Sequence, residues 1–318
     1  MSSLSAVLSE LRAAIPDARP AAVLADCSTW RIGGPADLLV EPASVDALSR
    51  ALALTASADV PTVIIGCGSN LLFDDAGVRG VVIRMGQGMA GFTIEGDVIR
   101  AQAGATMYDL ARAAARAGLS GLEHTAGIPG TLGGLIAMNG GSRRRAIGDN
   151  LRQVDVLDRS GRRQCVAACD CGFGYRTSVF QRNDCIVVGA EIVCERGEPA
   201  VIEQDITEDL AERERKFPLD LPNCGSVFTN SQAIYERFGP PGRVIEDTGL
   251  KGLRVGDIEV SPKHANFMVN HGHGRSADVL ECIRRVREAV YERTGFWLEC
   301  EVRYVSPEGL VRPAHLVC

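Results

Sequence analysis

The sequence predicts an α+β protein of two or three domains, and three observations lead to this expectation. Helical and β-branched segments alternate up to residue 83, a pattern typical of a small α/β unit. From residue 91 the pattern changes to a hairpin and further strands. A strongly charged helical segment at residues 202–216 then leads into a last region of mixed helices and strands. A chain of 318 residues is long enough to bury a substantial core.

The first part reads as helices that alternate with short strands. Apolar residues at helical spacing, interrupted by charges, predict an amphipathic helix over residues 1–15 and not a signal peptide. A strand at residues 38–40 precedes Ser44, which caps a second helix. The β-branched run Thr62–Ile65 predicts a buried strand, and residues 80–83 predict another.

The second part begins with a probable hairpin. Residues 92–95 and 98–101 are strand-like and flank a two-residue turn. Thr106 caps a helix that runs to Ala117, and Gly118 is its expected end. Later strand signals lie at residues 154–157, 165–168 and 186–193.

The last part contains one long helix, expected at residues 276–293, and several strands. Residues 258–260 and 297–305 are read as strands. Strand alternation would place His264, Asn266 and Asn270 on one face, and likewise Glu299, Glu301 and Arg303.

Composition excludes several classes of protein. The net charge of −6 argues against a general nucleic-acid-binding surface, and no apolar run approaches membrane length. We therefore expect no nucleic-acid or membrane partner. The amphipathic N-terminal helix, read as no signal peptide, predicts a cytoplasmic location, and the sequence leaves the oligomeric state open, with a monomer favoured. The eleven cysteines are scattered without Cys-x-x-Cys spacing, which favours reduced thiols over a zinc site, so no metal is expected.

Two glycine-rich stretches are the main candidates for ligand binding. The predicted strand at 62–65 ends in Gly66, Cys67, Gly68, Ser69 and Asn70, where glycines permit positive φ and let successive N–H groups converge. This arrangement suits a diphosphate, although a tight turn at the end of a strand explains it equally well. The second stretch, residues 127–134, favours the diphosphate because two loops can hold one long ligand from both sides.

Three other polar stretches are open to more than one interpretation. Arg176 lies among aromatic and small residues at 173–180, either as a site or as a cation on the surface of a strand. Ser226 follows a glycine at a tight turn, but no partner base is visible, so a serine nucleophile is not supported. Residues 143–145 are three arginines, which we interpret as a solvated loop.

Taken in order, these stretches resemble the UDP-N-acetylenolpyruvoylglucosamine reductase family. The resemblance covers residues 29–303 and rests on eight collinear motifs: Thr-Trp-Arg-Ile-Gly-Gly-Pro-Ala-Asp at 29–37, Gly-Cys-Gly-Ser-Asn at 66–70, Gly-Ile-Pro-Gly-Thr-Leu-Gly-Gly at 127–134, Tyr-Arg-x-Ser-x-Phe at 175–180, Gly-Ser-Val-Phe at 225–228, Gly-Leu-Lys-Gly-Leu-Arg-Val-Gly at 249–256, Ser-Pro-Lys-His-Ala-Asn-Phe at 261–267 and Glu-Cys-Glu-Val-Arg at 299–303. The C-terminal region is similar to the shorter type of the family.

The resemblance implies a flavoprotein of the vanillyl-alcohol-oxidase fold. Two FAD-binding subdomains, at residues 1–90 and 91–204, would precede a substrate domain at 205–318. The family binds FAD noncovalently, is reduced by NADPH, and reduces the enolpyruvyl group of a UDP-sugar to the lactyl ether of UDP-N-acetylmuramate.

The resemblance also assigns site residues. Arg176 and Glu301 would control charge at the enolpyruvyl carboxylate, and Ser226 would supply the proton at C2. The FAD-binding residues would be Arg31, Gly33, Gly66, Cys67, Gly68, Ser69, Asn70, Gly127, Ile128, Pro129, Gly130, Thr131, Gly133 and Gly134. The substrate-binding residues would be Tyr175, Asn223, Lys263, His264 and Asn266.

The chain departs from the family pattern in two places. Thr229, Asn230 and Ser231 replace the usual Lys-Asn-Pro, and Asn139 is followed by Gly-Gly-Ser and the three arginines. Three alternatives are therefore kept: a reductase of another enolpyruvyl nucleotide, an FAD oxidase or dehydrogenase of the same superfamily, and a nucleotide-binding protein without turnover.

Overall fold

The computed structural model describes residues 4–15, 17–182 and 184–318. The helices in these ranges are α1 (Leu4–Ala14), α2 (Val45–Ser57), α3 (Met107–Arg116), α4 (Leu132–Met138), α5 (Pro199–Lys216), α6 (Gln232–Phe238), α7 (Pro241–Asp247) and α8 (Ser276–Thr294). No helix in the described ranges has both the length and the apolar character needed to cross a lipid bilayer.

The strands in the described ranges are short and belong to five sheets. They are β1 (Arg19–Val23), β2 (Pro35–Val40), β3 (Thr62–Ile65), β4 (Leu71–Phe73), β5 (Val78–Arg84), β6 (Phe92–Glu95), β7 (Val98–Gln102), β8 (Leu119–Ser120), β9 (Leu151–Leu157), β10 (Arg163–Ala167), β11 (Ile186–Val193), β12 (Glu195–Arg196), β13 (Arg254–Val255), β14 (Ile258–Val260), β15 (Met268–Asn270), β16 (Arg303–Val305) and β17 (Val311–Pro313). The strand orders are β1-β2-β5-β3, β10-β9-β11-β7-β6, β12-β8, β13-β14-β15 and β17-β16-β4. This mixture of helices and sheets confirms the α+β class.

The chain divides into two compact units that are discontinuous in sequence. Unit 1 comprises Met1–Pro20, Leu38–Cys67 and Val81–Arg213, and unit 2 comprises Ala21–Asp37, Gly68–Gly80 and Glu214–Cys318. The third change of unit along the chain falls within the first glycine-rich loop, between Cys67 and Gly68, and the last falls near the end of α5. The division into residues 1–90, 91–204 and 205–318 stays a prediction.

Besides side chains of β2 and β5, the core of unit 1 contains those of a five-stranded antiparallel sheet. In the middle of this sheet Ala190 of β11 pairs with Ala101 of β7 and with Val154 of β9. Helices α3 and α4 bury apolar side chains such as Leu110 and Ile136 in the same core. The predicted hairpin forms β6 and β7.

The predicted helix caps in unit 1 are confirmed. The Thr106 hydroxyl accepts the N–H of Asp109 at 3.1 Å, which begins α3. The helix ends at Arg116, Ala117 is its C-cap, and Gly118, the residue expected to end it, comes next with a φ of +67°. Ser44 caps α2 by accepting the N–H of Ala47. Satisfying these otherwise unpaired N–H groups fixes where each helix begins.

Unit 2 is organised around a buried indole and helix α8. Trp30 is fully buried and its Nε1 donates to the Met268 carbonyl at 2.7 Å. Helix α8 buries Val279, Ile283, Val286 and Val290 in the same core. Strand β4 pairs in parallel with β16, so that Leu71 lies opposite Arg303.

The expectation of a strand over residues 297–305 was wrong for its first six residues. Only Arg303–Val305 is a strand, and Cys300 makes an isolated bridge with Phe228. The N–H groups of Glu301 and Val302 both point at the Val227 carbonyl, at 2.8 and 3.5 Å. Two successive donors on one acceptor break the regular pairing, so strand alternation cannot place Glu299, Glu301 and Arg303 on a common face.

Two other stretches also lack the expected strand geometry. Residues 263–267 form a turn that the N–H of Phe267 closes onto the His264 carbonyl, and the strand begins only at Met268. The prediction that His264, Asn266 and Asn270 share one face of a strand is therefore wrong. Around Arg176 the chain also turns, because Gly174 bridges to Thr177 and Arg176 has a φ of +53°.

Candidate active site

The first glycine-rich loop, residues 66–70, joins β3 to β4 and offers unused main-chain donors. None of its five N–H groups donates to an acceptor in the described part of the chain. Gly68 has a φ of +64°, and a Cβ there would overlap the Cys27 carbonyl. Consecutive free N–H groups in a turn of this kind form a concavity for oxyanions.

The second glycine-rich loop, residues 127–134, is held firmly by its own hydrogen bonds. The N–H groups of Leu132 and Gly133 donate to Ala105 and Ala103, and the Thr131 hydroxyl caps α4 through Gly134. Those of Gly127, Gly130 and Thr131 have no acceptor among the described residues.

The two loops touch within unit 1. A Cβ on Gly66 would overlap the Thr131 hydroxyl, so only glycine permits this approach. Free donors in both loops, at a point of close approach, meet the requirement for a diphosphate held from two sides. The further residues of the second loop named by sequence, Ile128 and Pro129, add no donor to this set, since the N–H of Ile128 bonds to Thr125.

Arg31 and Gly33 lie in a tight turn of unit 2. The N–H of Arg31 donates to Ser28 at 3.0 Å, and the Gly33 carbonyl accepts the N–H of Ala25 at 3.2 Å. Arg31 is exposed and has a φ of +56°. Gly33, with a φ of +142°, packs against Leu24 and Phe73 too closely for a side chain. Their assignment to FAD stays a prediction.

Arg176 is held in a strained turn of unit 1. Its guanidinium donates to the Gly141 carbonyl at 3.0 Å and lies 5.2 Å from the ring of Tyr175, which is exposed. Left-handed backbone is costly for a residue with a Cβ and persists only where neighbours enforce it. One such neighbour is Gln181, whose amide donates to the Arg176 carbonyl at 2.9 Å and to that of Ala137 at 2.8 Å.

Asn139 completes the support of this turn. It ends α4 in the left-handed region, with a φ of 42°. Its amide nitrogen donates to the Gly174 carbonyl at 2.9 Å, and its amide oxygen accepts the N–H of Gly148 at 3.0 Å. Sequence reasoning missed both Asn139 and Gln181 as supports, because a side chain that bonds distant main chain leaves no pattern at local spacing.

Ser226 lies in a loop of unit 2 whose main chain is fixed on both sides. On one side the Asn223 side chain accepts the N–H of Gly225 at 2.9 Å. On the other side the Asn266 amide accepts the N–H of Phe228 and donates to its carbonyl, both at 2.9 Å. The Ser226 hydroxyl itself makes no hydrogen bond with a described residue and is half-buried.

Glu301 is tied to the Ser226 loop through its main chain. Its N–H donates to the carbonyl of Val227, the residue after Ser226, at 2.8 Å. Its carbonyl accepts the Asn70 amide at 3.2 Å. Ser226 and Glu301 are thus held by one network within unit 2. Arg176 belongs to unit 1.

The remaining predicted substrate residues already have protein contacts. Lys263 donates its ammonium to the Glu214 carbonyl at 2.7 Å. His264 packs edge-on against Phe217 and Phe267, and burial lowers its pKa below the usual value for histidine. The amides of Asn223 and Asn266 bond to main chain, as described above. Contact of any of the four with substrate stays a prediction.

Two cysteines among or next to the candidate site residues, Cys67 and Cys224, show no sign of activation. All eleven lie within the described residues as free thiols. Burial raises the pKa of Cys67, in the first glycine-rich loop, and raises that of Cys224, before Gly225, to about 12. Neutral thiols are poor nucleophiles, so neither residue is suited to covalent chemistry.

Comparison with known proteins gives a consistent assignment across the chain. Residues 36–166 match the family model of the FAD binding domain, and residues 217–305 match that of the C-terminal domain of UDP-N-acetylenolpyruvoylglucosamine reductase. UDP-N-acetylenolpyruvoylglucosamine reductase 1 of Corynebacterium glutamicum is 46% identical over 92% of this chain and 88% of its own. The reductase of Moorella thermoacetica is 43% identical over 89% of this chain and 91% of its own.

A solved structure supports the same assignment. The crystal structure of the reductase from Thermus caldophilus matches with a TM-score of 0.76 and 34% identity, covering 89% of this chain and 97% of that one. Identity above 30% over most of both chains, together with this match of folds, confirms the resemblance inferred from the sequence motifs. The chain therefore belongs to the UDP-N-acetylenolpyruvoylglucosamine reductase family.

Proposed function

We propose that this protein uses FAD and NADPH to reduce the enolpyruvyl group of UDP-N-acetylenolpyruvoylglucosamine to UDP-N-acetylmuramate, a precursor of peptidoglycan. Relatives with this name support the substrate, and the match to the FAD binding domain supports the flavin. The use of NADPH rests on what the resemblance to the family implies, and a spectroscopic titration tests it directly.

The two glycine-rich loops fit FAD. Free N–H groups at residues 66–70 and at Gly127, Gly130 and Thr131 would hold its diphosphate without any cationic side chain. Main-chain donors of this kind suit a chain whose net charge is −6. Cys67 is a free thiol in the first loop, and noncovalent binding agrees with its raised pKa. When bound, FAD supplies the relay that accepts hydride from the nicotinamide nucleotide and delivers it to C3 of the enolpyruvyl group.

Arg176 and Glu301 would act on the charge that develops at the enolpyruvyl carboxylate. Addition of hydride at C3 places negative charge at C2 and on that carboxylate, so a fixed cation stabilises the resulting enolate-like species. The guanidinium of Arg176 is held in place by its bond to Gly141. Glu301, anchored by Val227 and Asn70, would orient or protonate the same group.

Ser226 would donate the proton to C2. A serine hydroxyl is a weak acid, so it must be positioned at the developing carbanion and resupplied with a proton from water. One observation carries this role: the main chain around Ser226 is fixed by Asn223 and Asn266, whereas its hydroxyl bonds to no described residue. A rigid loop with a free donor is what directed proton transfer requires.

The test is an anaerobic spectroscopic titration of the purified protein. We expect a flavin spectrum that NADPH bleaches and that stoichiometric UDP-N-acetylenolpyruvoylglucosamine restores. Release of the flavin by acid precipitation would confirm noncovalent binding. Bleaching without reoxidation by this substrate would contradict the proposed substrate. If air admitted afterwards then reoxidised the flavin rapidly, the result would favour an oxidase.

The remaining expectations stay proposals. They are a monomer, a cytoplasmic location and the absence of nucleic-acid or membrane partners, and the net charge of −6 argues only against a general nucleic-acid-binding surface. Light scattering at micromolar concentration would test the monomer, and fractionation of the producing cells would test the location.

A further inference from the structure

Left-handed backbone is concentrated around Arg176. Seven non-glycine residues of the described chain have positive φ, and four of them are Asn139 (42°), Arg143 (52°), Arg144 (64°) and Arg176 (53°). Hydrogen bonds join these positions, from Asn139 to Gly174 and from Arg176 to Gly141. Strain of this kind costs of order 1–3 kcal/mol per residue and is typical of functional sites.

The three-arginine segment, residues 143–145 and here called the arginine loop, is therefore more than a solvated turn. Arg143 is anchored, because its guanidinium pairs with Asp209 at 2.9 Å and with Glu212 at 3.3 Å on α5. The N–H of Arg145 donates to the Ser142 carbonyl at 2.9 Å and closes the turn. These contacts hold the arginine loop in one conformation.

Two cations of the arginine loop stay available to a ligand. Arg144 and Arg145 are exposed, and neither side chain makes an ion pair or hydrogen bond with a residue in the described ranges. In a chain with a net charge of −6, two adjacent uncompensated arginines create a local site for an anion. Planar guanidinium groups bind phosphate oxygens in pairs, which makes phosphate their natural partner.

The position of the loop places it close to Arg176. Gly141, which accepts the Arg176 guanidinium, precedes Arg144 by three residues, so their Cα atoms lie within about 11 Å. If Arg176 faces the reacting carboxylate, as the proposed function has it, the loop lies close enough to the bound substrate to reach other groups of it. The phosphates of both substrates are such groups, because they are several bonds away from the reacting carbons.

We propose that Arg144 and Arg145 bind a phosphate group of a nucleotide substrate at the active site. This inference rests on the proposed function and extends it to two residues that the sequence motifs leave unassigned. Two phosphates share this chemistry: the 2′-phosphate that distinguishes NADPH from NADH, and the diphosphate of the UDP-sugar.

The experiment compares the double variant Arg144→Asn/Arg145→Gln with wild type. Asparagine is chosen at 144 because it tolerates left-handed backbone better than arginine does. The matched control is Arg159→Gln, which also removes an exposed arginine of unit 1, one that pairs with Asp184. Steady-state KM and kcat are measured for NADPH, NADH and the UDP-sugar, and inhibition constants for 2′-AMP and UDP.

We expect the KM for one phosphate-bearing substrate to rise about tenfold, with kcat within twofold, since a charge-assisted bond typically contributes this much. A rise for NADPH and weaker inhibition by 2′-AMP, with NADH unchanged, identifies the 2′-phosphate. A rise for the UDP-sugar and weaker inhibition by UDP identifies the diphosphate. If all these constants stay within twofold of those of Arg159→Gln, the proposal is overturned.

A second variant separates binding from folding. Arg144→Gly relieves the left-handed strain, so it should raise the melting temperature by about 2 °C or more while weakening the same substrate. A variant that is less stable than wild type would show that the conformation is not strained, and would remove the argument from strain. If wild type does not turn over, the proposed function is contradicted. The binding of UDP and of 2′-AMP to wild type and to the double variant is then compared by calorimetry, and equal dissociation constants would overturn the present proposal separately.

Discussion

His124 should make the protein lose stability in mild acid. It lies in a short 3₁₀ turn, Glu123–Thr125, just before the second glycine-rich loop, and only 3% of its surface is exposed. Neither ring nitrogen has a hydrogen-bond partner among the described residues. Burial, reinforced by the nearby Arg145, lowers the pKa of His124 to about 4, against a smaller opposing effect of Glu123 and Asp149.

The size of the effect follows from this pKa. The pKa of a histidine in the unfolded chain is near 6.5, whereas that of His124 in the folded protein is about 4. Between these two pH values the unfolded state binds a proton that the folded state does not bind, and folding is therefore less favourable there. The contribution of His124 is therefore fully present above about pH 6.5 and is lost as the pH falls. Between pH 7.5 and 5.0 the loss is about 2 kcal/mol, which corresponds to about 4–8 °C in melting temperature for a unit of this size.

The assay compares the melting temperatures of wild type and His124→Phe at pH 7.5 and 5.0. Phenylalanine is close in size to histidine and does not titrate, whereas all other groups that respond to acid are retained. We expect wild type to lose about 4–8 °C more than the variant over this interval. An equal loss in both proteins would refute the reasoning, because it would mean that His124 takes up its proton equally in both states.

Three further predictions concern the proposed cofactor loop and catalytic groups. Gly68→Ala should lower the flavin content and the melting temperature far more than the control Gly96→Ala does. Both glycines have φ near +65°, but only at Gly68 does main chain occupy the position that the Cβ would take. Equal effects of the two substitutions would contradict the argument from close packing. Glu301→Gln should leave bleaching by NADPH unchanged and slow reoxidation by substrate by about 10²-fold in stopped flow, whereas loss of both half-reactions would mean that its role is misassigned. Ser226→Ala should slow reoxidation by about 10² to 10⁴, and Ser226→Cys should retain part of the rate, since a thiol also carries a proton; a wild-type rate and solvent isotope effect in Ser226→Ala would exclude it as the donor.

The fold was predictable where structure depends on local chemistry. Ser44, Thr106 and Gly118 mark helix ends through their own side chains or through the lack of one, and each prediction is confirmed. The hairpin at β6 and β7 was likewise visible, because its turn and its alternation lie within ten residues.

Predictions failed where the partner is distant in sequence. Residues 297–302 have the composition of a strand, but their partner, the loop after Gly225, has an irregular path, with a φ of +73° at that glycine. Residues 297–302 can form regular strand pairing only if the partner segment is itself extended. The sequence of residues 297–302 contains no information about the conformation of that partner.

The same limit applies to the candidate site. The glycine-rich loops could be found from sequence because their function depends on glycine itself. The supports of Arg176 and Ser226 could not, because the amides of Gln181 and Asn266 act on main chain that no spacing rule connects to them. The arginine loop was visible as a charge run, but its strain and its link to Arg176 are properties of the folded chain.

The discontinuous build of unit 2 has a consequence for synthesis on the ribosome. The indole of Trp30 finds its acceptor only at Met268, 238 residues later. At about 5–20 residues per second this partner emerges roughly 12–48 s after the tryptophan does. During that interval the apolar side chains of residues 21–37 and 68–80 have no core to enter, whereas most of unit 1 is already complete. The nascent chain should therefore bind holdase chaperones through these two segments, and should release them once residues beyond 305 have left the exit tunnel.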